Sequence, residues 1–407
     1  MTMVSVIIPI YNVQDYLAEC LESILSQTYV NFEILCINDC STDDSLAVLR
    51  KYAKKDIRIK IWNNDRNRGQ AYSRNVGLSN AVGDFILFVD ADDFICPDLL
   101  QKCMEIVGDS DMVCFDYKQV MGSETDVKQD RYQVEDGMYD GRDFLAEAVG
   151  RESIIIAPWS KLYRRRFLLD NQITFYNGII YEDILFSFQC YVKARRIYSL
   201  KQKLYTYRVR EQSTMRTGIT EKSIGSYIIC ICELMKWYLR EDFDQKTSES
   251  IEEYIRKVSR EYISAYRRWG QRERELKFLE DKPVYLKIYR TFSELCVKSG
   301  KILGLNWKQL EEIRRYQYII LYGAGDIARS AVEILDYYDI PLHGIAVTSM
   351  KGNRKSILGN LVRELDEYHD IKGQCLVIIG TTPKYYHEIS EQLKGQGFTH
   401  WMGIADI

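Results

Sequence analysis

The chain has 407 residues, 46% of them hydrophobic, with 55 basic and 58 acidic side chains and a net charge of −3. That size allows two or three domains with a large core, and the near-neutral balance leaves no electrostatic footprint for nucleic acid. All four histidines (His343, His369, His387 and His400) lie at or beyond residue 343, which excludes histidine-dependent nucleophilic triads and histidine–zinc sites from everything before it.

The eleven cysteines include no CxxC pair, and Cys20, Cys36, Cys114 and Cys230 sit in apolar runs. They read as free thiols of a reducing cytoplasm. Met1-Thr2-Met3 leads straight into a strand, so no signal peptide is expected, and no apolar run reaches the ~18 residues of a membrane span.

In chain order, Val4–Ile10 is a continuous apolar run, as a parallel strand covered on both faces requires. Leu17, Leu21, Ile24 and Leu25 follow at helical spacing, then a second strand, Phe32–Ile37. Ser41-Thr42-Asp43-Asp44 opens a helix carrying Leu46, Leu49, Tyr52 and Ala53. Ile57–Trp62 is the third strand, Gly69–Ala81 a polar helix and Phe85–Val89 the fourth strand. This alternation predicts a parallel sheet with helices on both faces. Residues 121–220 are less regular, with turns at Gly137–Gly141 and Asn177-Gly178. Residues 221–315 read as helical, interrupted by one proline, Pro283. Residues 316–407 restart the strand–helix pattern, with strands at Tyr318–Tyr322, Leu342–Val347 and Cys375–Ile379.

The chemistry concentrates in Phe85-Ile86-Leu87-Phe88-Val89-Asp90-Ala91-Asp92-Asp93, a hydrophobic strand that ends in three carboxylates. Ligands of open α/β sheets sit just beyond strand carboxyl ends. Asp90 and Asp92 are two apart, so in extended chain both point to one side and repel unless a cation lies between them. Hard oxygen donors favour Mg²⁺ or Mn²⁺, which commonly bridge a carboxylate to substrate phosphates. The plainer alternative is that these acids cap the helix starting near Pro97. With no histidine before residue 343, proton transfer there falls to a carboxylate.

Four further runs complete an ordered series. They are Val6-Ile7-Ile8-Pro9-Ile10-Tyr11-Asn12, Ile37-Asn38-Asp39-Cys40-Ser41-Thr42-Asp43-Asp44-Ser45, Asn67-Arg68-Gly69-Gln70-Ala71-Tyr72-Ser73-Arg74-Asn75-Val76-Gly77-Leu78 and Tyr181-Glu182-Asp183-Ile184-Leu185-Phe186. Together they closely resemble glycosyltransferase family 2 over residues 1 to about 215. The resemblance implies an α/β GT-A fold, a mixed, mainly parallel sheet flanked by helices, as a catalytic domain over 1–220. A helical linker domain over 221–315 and a small Rossmann-like add-on domain over 316–407 would follow.

Residue by residue, the resemblance implies nucleotide-sugar contacts at Pro9, Tyr11, Asn12, Asp39, Asn67, Gly69, Ser73, Asp90, Ala91, Asp92 and Arg208. Tyr11 can stack on a base and Asp39 can accept the imide N–H of uracil, which favours a UDP-sugar. Asp92 is the implied direct ligand of Mn²⁺ or Mg²⁺, and Asp90 a ribose or metal-water contact. Asp183 is the implied general base, with Glu182 orienting either the acceptor or Asp183 itself, for a single inverting displacement. Trp159 and Lys161 fall where the family meets its acceptor, and Tyr207–Thr214, with Arg208 and Arg210, resembles its late loop over the diphosphate. Asp39 as a helix cap, Glu182 and Asp183 as charges on a helix N-terminus, and Trp159 as core are the structural alternatives. The family usually carries Gly where Cys40 stands and Asp where Asn38 stands, and the Cys40 departure matters if the turn needs positive φ.

The add-on domain resembles those of bacterial capsule and adhesin glycosylation enzymes. That implies UDP-galactose or UDP-glucose as donor, a glycan or glycosylated serine-rich adhesin as acceptor, and a cytoplasmic place that includes the inner membrane face. It also leaves self-association or a partner as a role for that domain. Its Gly323-Ala324-Gly325-Asp326-Ile327-Ala328 fits GxGxxA, so a nicotinamide-dependent oxidoreductase is one alternative, although Thr348-Ser349 stands where a ribose would want an acid. A non-catalytic sugar-nucleotide binding module is the other.

Overall fold

Strands β1 (Val4–Ile10) and β2 (Phe32–Asn38) are buried at every position, as their unbroken apolar runs demand. They lie in a computed structural model that describes residues 2–121, 124–125, 132–209, 218–269, 276–289, 312–337, 340–381 and 385–403. The chain forms two compact units, Met1–Gly218 with Arg240–Tyr254, and Ile219–Leu239 with Ile255–Ile407.

In the first unit, β1 is followed by α1 (Gln14–Leu25), β2 by α2 (Ser45–Ala53), β3 (Ile59–Asn63) by α3 (Gln70–Asn80), and β4 is Phe85–Phe88. These four strands are parallel. After β5 (Phe94–Ile95) and α4 (Leu99–Ile106) comes β6 (Met112–Met121), then β7 (Glu124–Thr125), β8 (Gly137–Tyr139) and α5 (Gly141–Gly150). The unit continues with β9 (Lys161–Arg164), α6 (Arg165–Asp170), α7 (Glu182–Lys193) and β10 (Ile197–Arg208). The sheet runs β3-β2-β1-β4-β9-β6-β10-β5, with β7 on β6 and β8 on β10. Strand β9 is antiparallel to both β4 and β6, while β6 and β10 are parallel. The sheet is therefore mixed and mainly parallel, as expected.

Boundaries differ from the sequence reading where apolar residues face water. Ile57 is 94% exposed and precedes β3, in a turn closed by the Ile59 N–H on the Asp56 carbonyl at 3.2 Å. Strands β7, β8, β9 and β10 lie in the region that read as irregular. The register Ile10↔Asn38 and Ile7↔Phe88 puts the ends of β1, β2 and β4 at one sheet edge. The pairing Thr206↔Phe94 brings the end of β10 to the same edge.

The second unit holds most of α8 (Glu221–Arg240) and of α9 (Gln245–Trp269). Its sheet is built from β11 (Tyr318–Tyr322), β12 (Gly344–Val347), β13 (Ser356–Ile357), β14 (Asn360–Glu364), β15 (Cys375–Ile379) and β16 (Trp401–Gly403), with helices α10 (Asp326–Tyr337) and α11 (Tyr386–Gly395). The order is β13-β14-β12-β11-β15-β16, parallel apart from the β13–β14 hairpin. Gly323, at φ 122°, has the Gly380 carbonyl 3.0 Å from where a Cβ would stand, so this glycine lets β11 close against β15. Thr348, after β12, bonds through its hydroxyl to Tyr322.

Helix α3 lies so close to β1 that a Cβ on Gly77 would fall 2.3 Å from Cγ2 of Ile7. Ile7 is fully buried and cannot swing away. Gly77→Ala is therefore expected to destabilise the first unit by roughly 1–3 kcal/mol, the usual range for overpacking, as read from denaturant midpoints.

Candidate active site

The turns after β1 and β2 are locked to each other. Asn12, at φ 50°, accepts the Thr42 N–H at Oδ1 (2.8 Å) and donates through Nδ2 to Thr42 Oγ1 (3.2 Å), and its own N–H reaches Ser41 Oγ (3.2 Å). Cys40 sits at φ 60°, so the position where glycine was expected does need the left-handed region. Pro9 is buried within β1, and Tyr11 just beyond it is 45% exposed, presenting an aromatic face to solvent.

Asp39 is buried and organises the whole loop before α3. Its Oδ1 accepts from Asn64 Nδ2 (2.6 Å) and the Arg68 N–H (2.9 Å), and its Oδ2 from the Gly69 N–H (2.7 Å). A carboxylate has about four lone-pair sites, so Oδ2 keeps capacity for one more donor. Asn67 Oδ1 also accepts from the Gly69 N–H (3.1 Å), and buried Ser73 accepts from Asn64 (3.1 Å). At Gly69 (φ 87°) nothing lies within 4 Å of a Cβ position, so the backbone is open to close approach. Asn64 was not singled out by the sequence.

The acidic turn divides its three carboxylates. Asp93 is buried; Tyr205 Oη donates to its Oδ2 (2.7 Å) and the Arg208 N–H to its Oδ1 (2.7 Å). Burial, then the charges of Asp92 and Asp90, hold its carboxyl well above the usual range. Asp90 accepts at one oxygen, Oδ1, from Gln70 Nε2 (2.9 Å) and Arg74 Nη2 (2.8 Å). Asp92 is half-buried, and its carbonyl accepts from Arg208 Nε at 3.0 Å. Buried Ala91 between them packs into the core. Arg208 also pairs with Glu19 (2.6 Å). Residues 210–214 of the late loop, Arg210 among them, lie outside the described residues.

Arg74 reaches across this turn. It is 2% exposed; its Nη1 donates to Glu182 Oε1 at 2.7 Å while Nη2 holds Asp90, and its guanidinium lies 5.2 Å from the Phe175 ring centre. Burial works against its charge, but Asp90 and Glu182 outweigh that and raise its pKa. Nothing marked Arg74 beyond its place in the third motif. A signal existed: Ala71, Arg74 and Leu78 share one buried helical stripe.

Glu182 and Asp183 begin α7, after Tyr181 in the left-handed region at φ 65°. Such backbone strain clusters at functional sites. Asp183 is half-buried, and burial, then the charge of Glu182, push its pKa up to about 7, with Arg74 pulling the other way. Phe186 stacks on Phe175 (3.9 Å) and meets Phe88 edge-on, and Tyr254 Oη donates to the Ile184 carbonyl (2.9 Å), so the first turn of α7 is braced on two sides.

The acceptor contacts expected of Trp159 and Lys161 need correction. Trp159 is 6% exposed and stacked on Tyr205 (4.3 Å) and Tyr207 (5.7 Å), which makes it core beneath the acidic turn. Lys161 is fully buried; its ammonium donates to the carbonyls of Ile155 (2.8 Å) and Ala157 (2.7 Å) and to Ser160 Oγ (3.1 Å), and burial lowers its pKa to about 8. Both side chains are buried and hold loop 155–160 in place, which leaves neither exposed for contact with a ligand.

Among the described residues no group of three or more His, Cys, Asp and Glu is arranged to hold a metal unaided. The acidic turn nevertheless fits one electrostatically, because it gathers Asp90, Asp92 and Asp93 within four residues, and the charges of Asp92 and Asp90 add to burial in holding Asp93 above the usual carboxylate range. A divalent ion there would take its remaining ligands from phosphate and water, as Mg²⁺ commonly does.

The fold is of the GT-A type. The family described as glycosyl transferase family 2 matches residues 5–171, and the chain belongs to that family. Among similar proteins, glycosyltransferase GlyG of Streptococcus pneumoniae is 31% identical over 236 residues, 53% of this chain and 73% of that protein. Glycosyltransferase GlyA of the same organism is 32% identical over 244 residues, 56% of this chain but 34% of that longer protein. The crystal structure of S. aureus TarS 1-349 in complex with UDP-GlcNAc superposes with a TM-score of 0.56 at 24% identity, over 83% of this chain and 89% of that one. That likeness concerns the fold.

Cys40 is exposed and its conformation disfavours any side chain with a Cβ. Cys40→Gly is expected to stabilise the first unit by roughly 1 kcal/mol, the lower end of the left-handed penalty, as an increased denaturant midpoint.

Proposed function

We propose that the chain transfers a hexose, galactose or glucose, from its UDP-sugar to a glycan or glycoprotein acceptor, with inversion at the anomeric carbon. The observation that carries this reading is the meeting, through Arg74, of the acidic turn after β4 and the two carboxylates that begin α7, Glu182 and Asp183. In this reading the open Oδ2 site of Asp39 takes the uracil imide and Tyr11 covers the ring. Gly69 and Ser73 border the ribose, Asp92 holds Mn²⁺ or Mg²⁺, and Asp90 faces ribose or metal-bound water. When bound, such an ion supplies counter-charge to the leaving diphosphate.

Ionised Asp183 accepts the proton of the acceptor hydroxyl as that oxygen bonds to the anomeric carbon. The bond from that carbon to the β-phosphate oxygen breaks, and UDP leaves with the electron pair. One displacement inverts the centre and needs no second nucleophile. A glycosylated serine-rich adhesin is the proposed acceptor and the cytoplasm, up to the inner membrane face, the proposed place of action. Among the described residues no helix is long and apolar enough to cross a membrane.

UDP release from UDP-glucose, UDP-galactose and UDP-GlcNAc tests the donor; the last is included because TarS is described as binding it. Turnover of one of them is expected to vanish with EDTA, return with Mn²⁺ or Mg²⁺, and be abolished by Asp92→Ala. Full activity after exhaustive chelation would remove the metal from this account.

Asp183→Asn keeps shape and removes basicity. It is expected to leave UDP affinity unchanged by calorimetry while kcat falls roughly 10²–10⁴-fold, the worth of a positioned base. In the unaltered protein kcat/KM should rise with pH through about 7, as Asp183 loses its proton. Near-normal kcat in Asp183→Asn with loss in Glu182→Gln would transfer the role to Glu182.

A further inference from the structure

We propose that Arg74 is a positioning residue that joins the donor side of the site to the proton-accepting side, holding Asp90 and Glu182 in one clamp and so setting where and when Asp183 can act. The inference rests on the reading of Asp183 as base. Its ground is geometric. One guanidinium, 2% exposed, donates from separate nitrogens to carboxylates of two segments, 2.8 Å to Asp90 and 2.7 Å to Glu182. Phe175 covers its face, and its buried Nε makes no hydrogen bond. A lysine ammonium is a point charge without this fork and cannot replace both contacts.

The charged and titratable groups around Asp183 are Glu182 beside it on α7, Arg74 from α3, and Lys161 and Tyr163 from β9. Glu182 opposes ionisation of Asp183 and Arg74 favours it. Arg74 is shared with Asp90, so any ligand engaging Asp90 acts on the same guanidinium that orders Glu182. The clamp thereby links occupancy of the acidic turn to the readiness of the base.

Two readouts separate this inference from the reading beneath it. The first needs no substrate. A carboxyl raised in the folded state loses stability as pH rises from its unfolded value near 4, and the loss levels off above its folded value. Thermal unfolding of the full chain and of Asp183→Asn, compared from pH 4 to 9, is expected to diverge and level off near pH 7. In an Arg74→Met background the levelling point should move up by about one pH unit, and in Glu182→Gln down by about one, the scale of losing one close charge. Arg74→Lys should move it up by less than Arg74→Met, and it serves alone if Arg74→Met does not fold. A levelling point unmoved by the Arg74 substitutions overturns the inference, because a merely structural arginine would lower stability equally at every pH.

The second readout is UDP release from whichever of UDP-glucose, UDP-galactose and UDP-GlcNAc the wild type turns over. Arg74→Lys should lower kcat at least tenfold more than it changes KM, with its acid limb moved in the same direction as the levelling point. An Arg74→Lys defect confined to KM overturns the positioning role. If Asp183→Asn keeps its activity while the levelling point shifts as described, the assignment of the base fails and the clamp stands.

Discussion

The site depends on three charges that water hardly reaches. Arg74 is buried between Asp90 and Glu182, and each carboxylate would be far less tolerable there without it. Removing one partner from a buried ion pair typically costs about 3–5 kcal/mol, because the other charge is left uncompensated. The triad therefore holds only when α3, the turn after β4 and the start of α7 meet in one arrangement. Phe175, stacked on Phe186 and facing the guanidinium, couples that arrangement to the aromatic core.

Around this point the acidic turn separates its carboxylates by direction. Asp93 faces inward to Tyr205 and Arg208, Asp90 sideways to Arg74 and Gln70, and Asp92 stands at the rim. Tyr205 lies on Trp159, and Lys161 fastens the loop beside it, so an aromatic and a buried ammonium support the turn from below. These residues serve the site by rigidity, since a constellation held on packed elements keeps its geometry better than one held on loops.

The family match ends at residue 171, yet Glu182, Asp183 and Arg208 lie beyond it. The structure joins that later segment to the matched part through Arg74 and through the bond from Arg208 to the Asp92 carbonyl. The chain spans 34% of GlyA and 73% of GlyG, so the surroundings of the shared domain differ among these relatives.

Much of this was legible in the sequence. Continuous apolar runs marked β1, β2 and β4, and the polar residues after them converge because parallel strands deliver their carboxyl ends to one edge. Tyr11, Asp39 and the acidic turn meet there for that reason alone. The sequence also announced, through glycine's usual place, that Cys40 would matter. What it did not disclose were partners. Strand β10 is broken in pattern by exposed Lys201 and Gln202 and by a register shift between Leu200 and Lys203, so no simple period betrayed it. Trp159 and Lys161 were read as contacts because residue type does not reveal burial. Arg74 sat in plain view on a helix, but an arginine becomes a buried clamp only when carboxylates 16 and 108 positions away arrive beside it. Periodicity reports which face of an element is covered; only the tertiary structure decides which charge covers it.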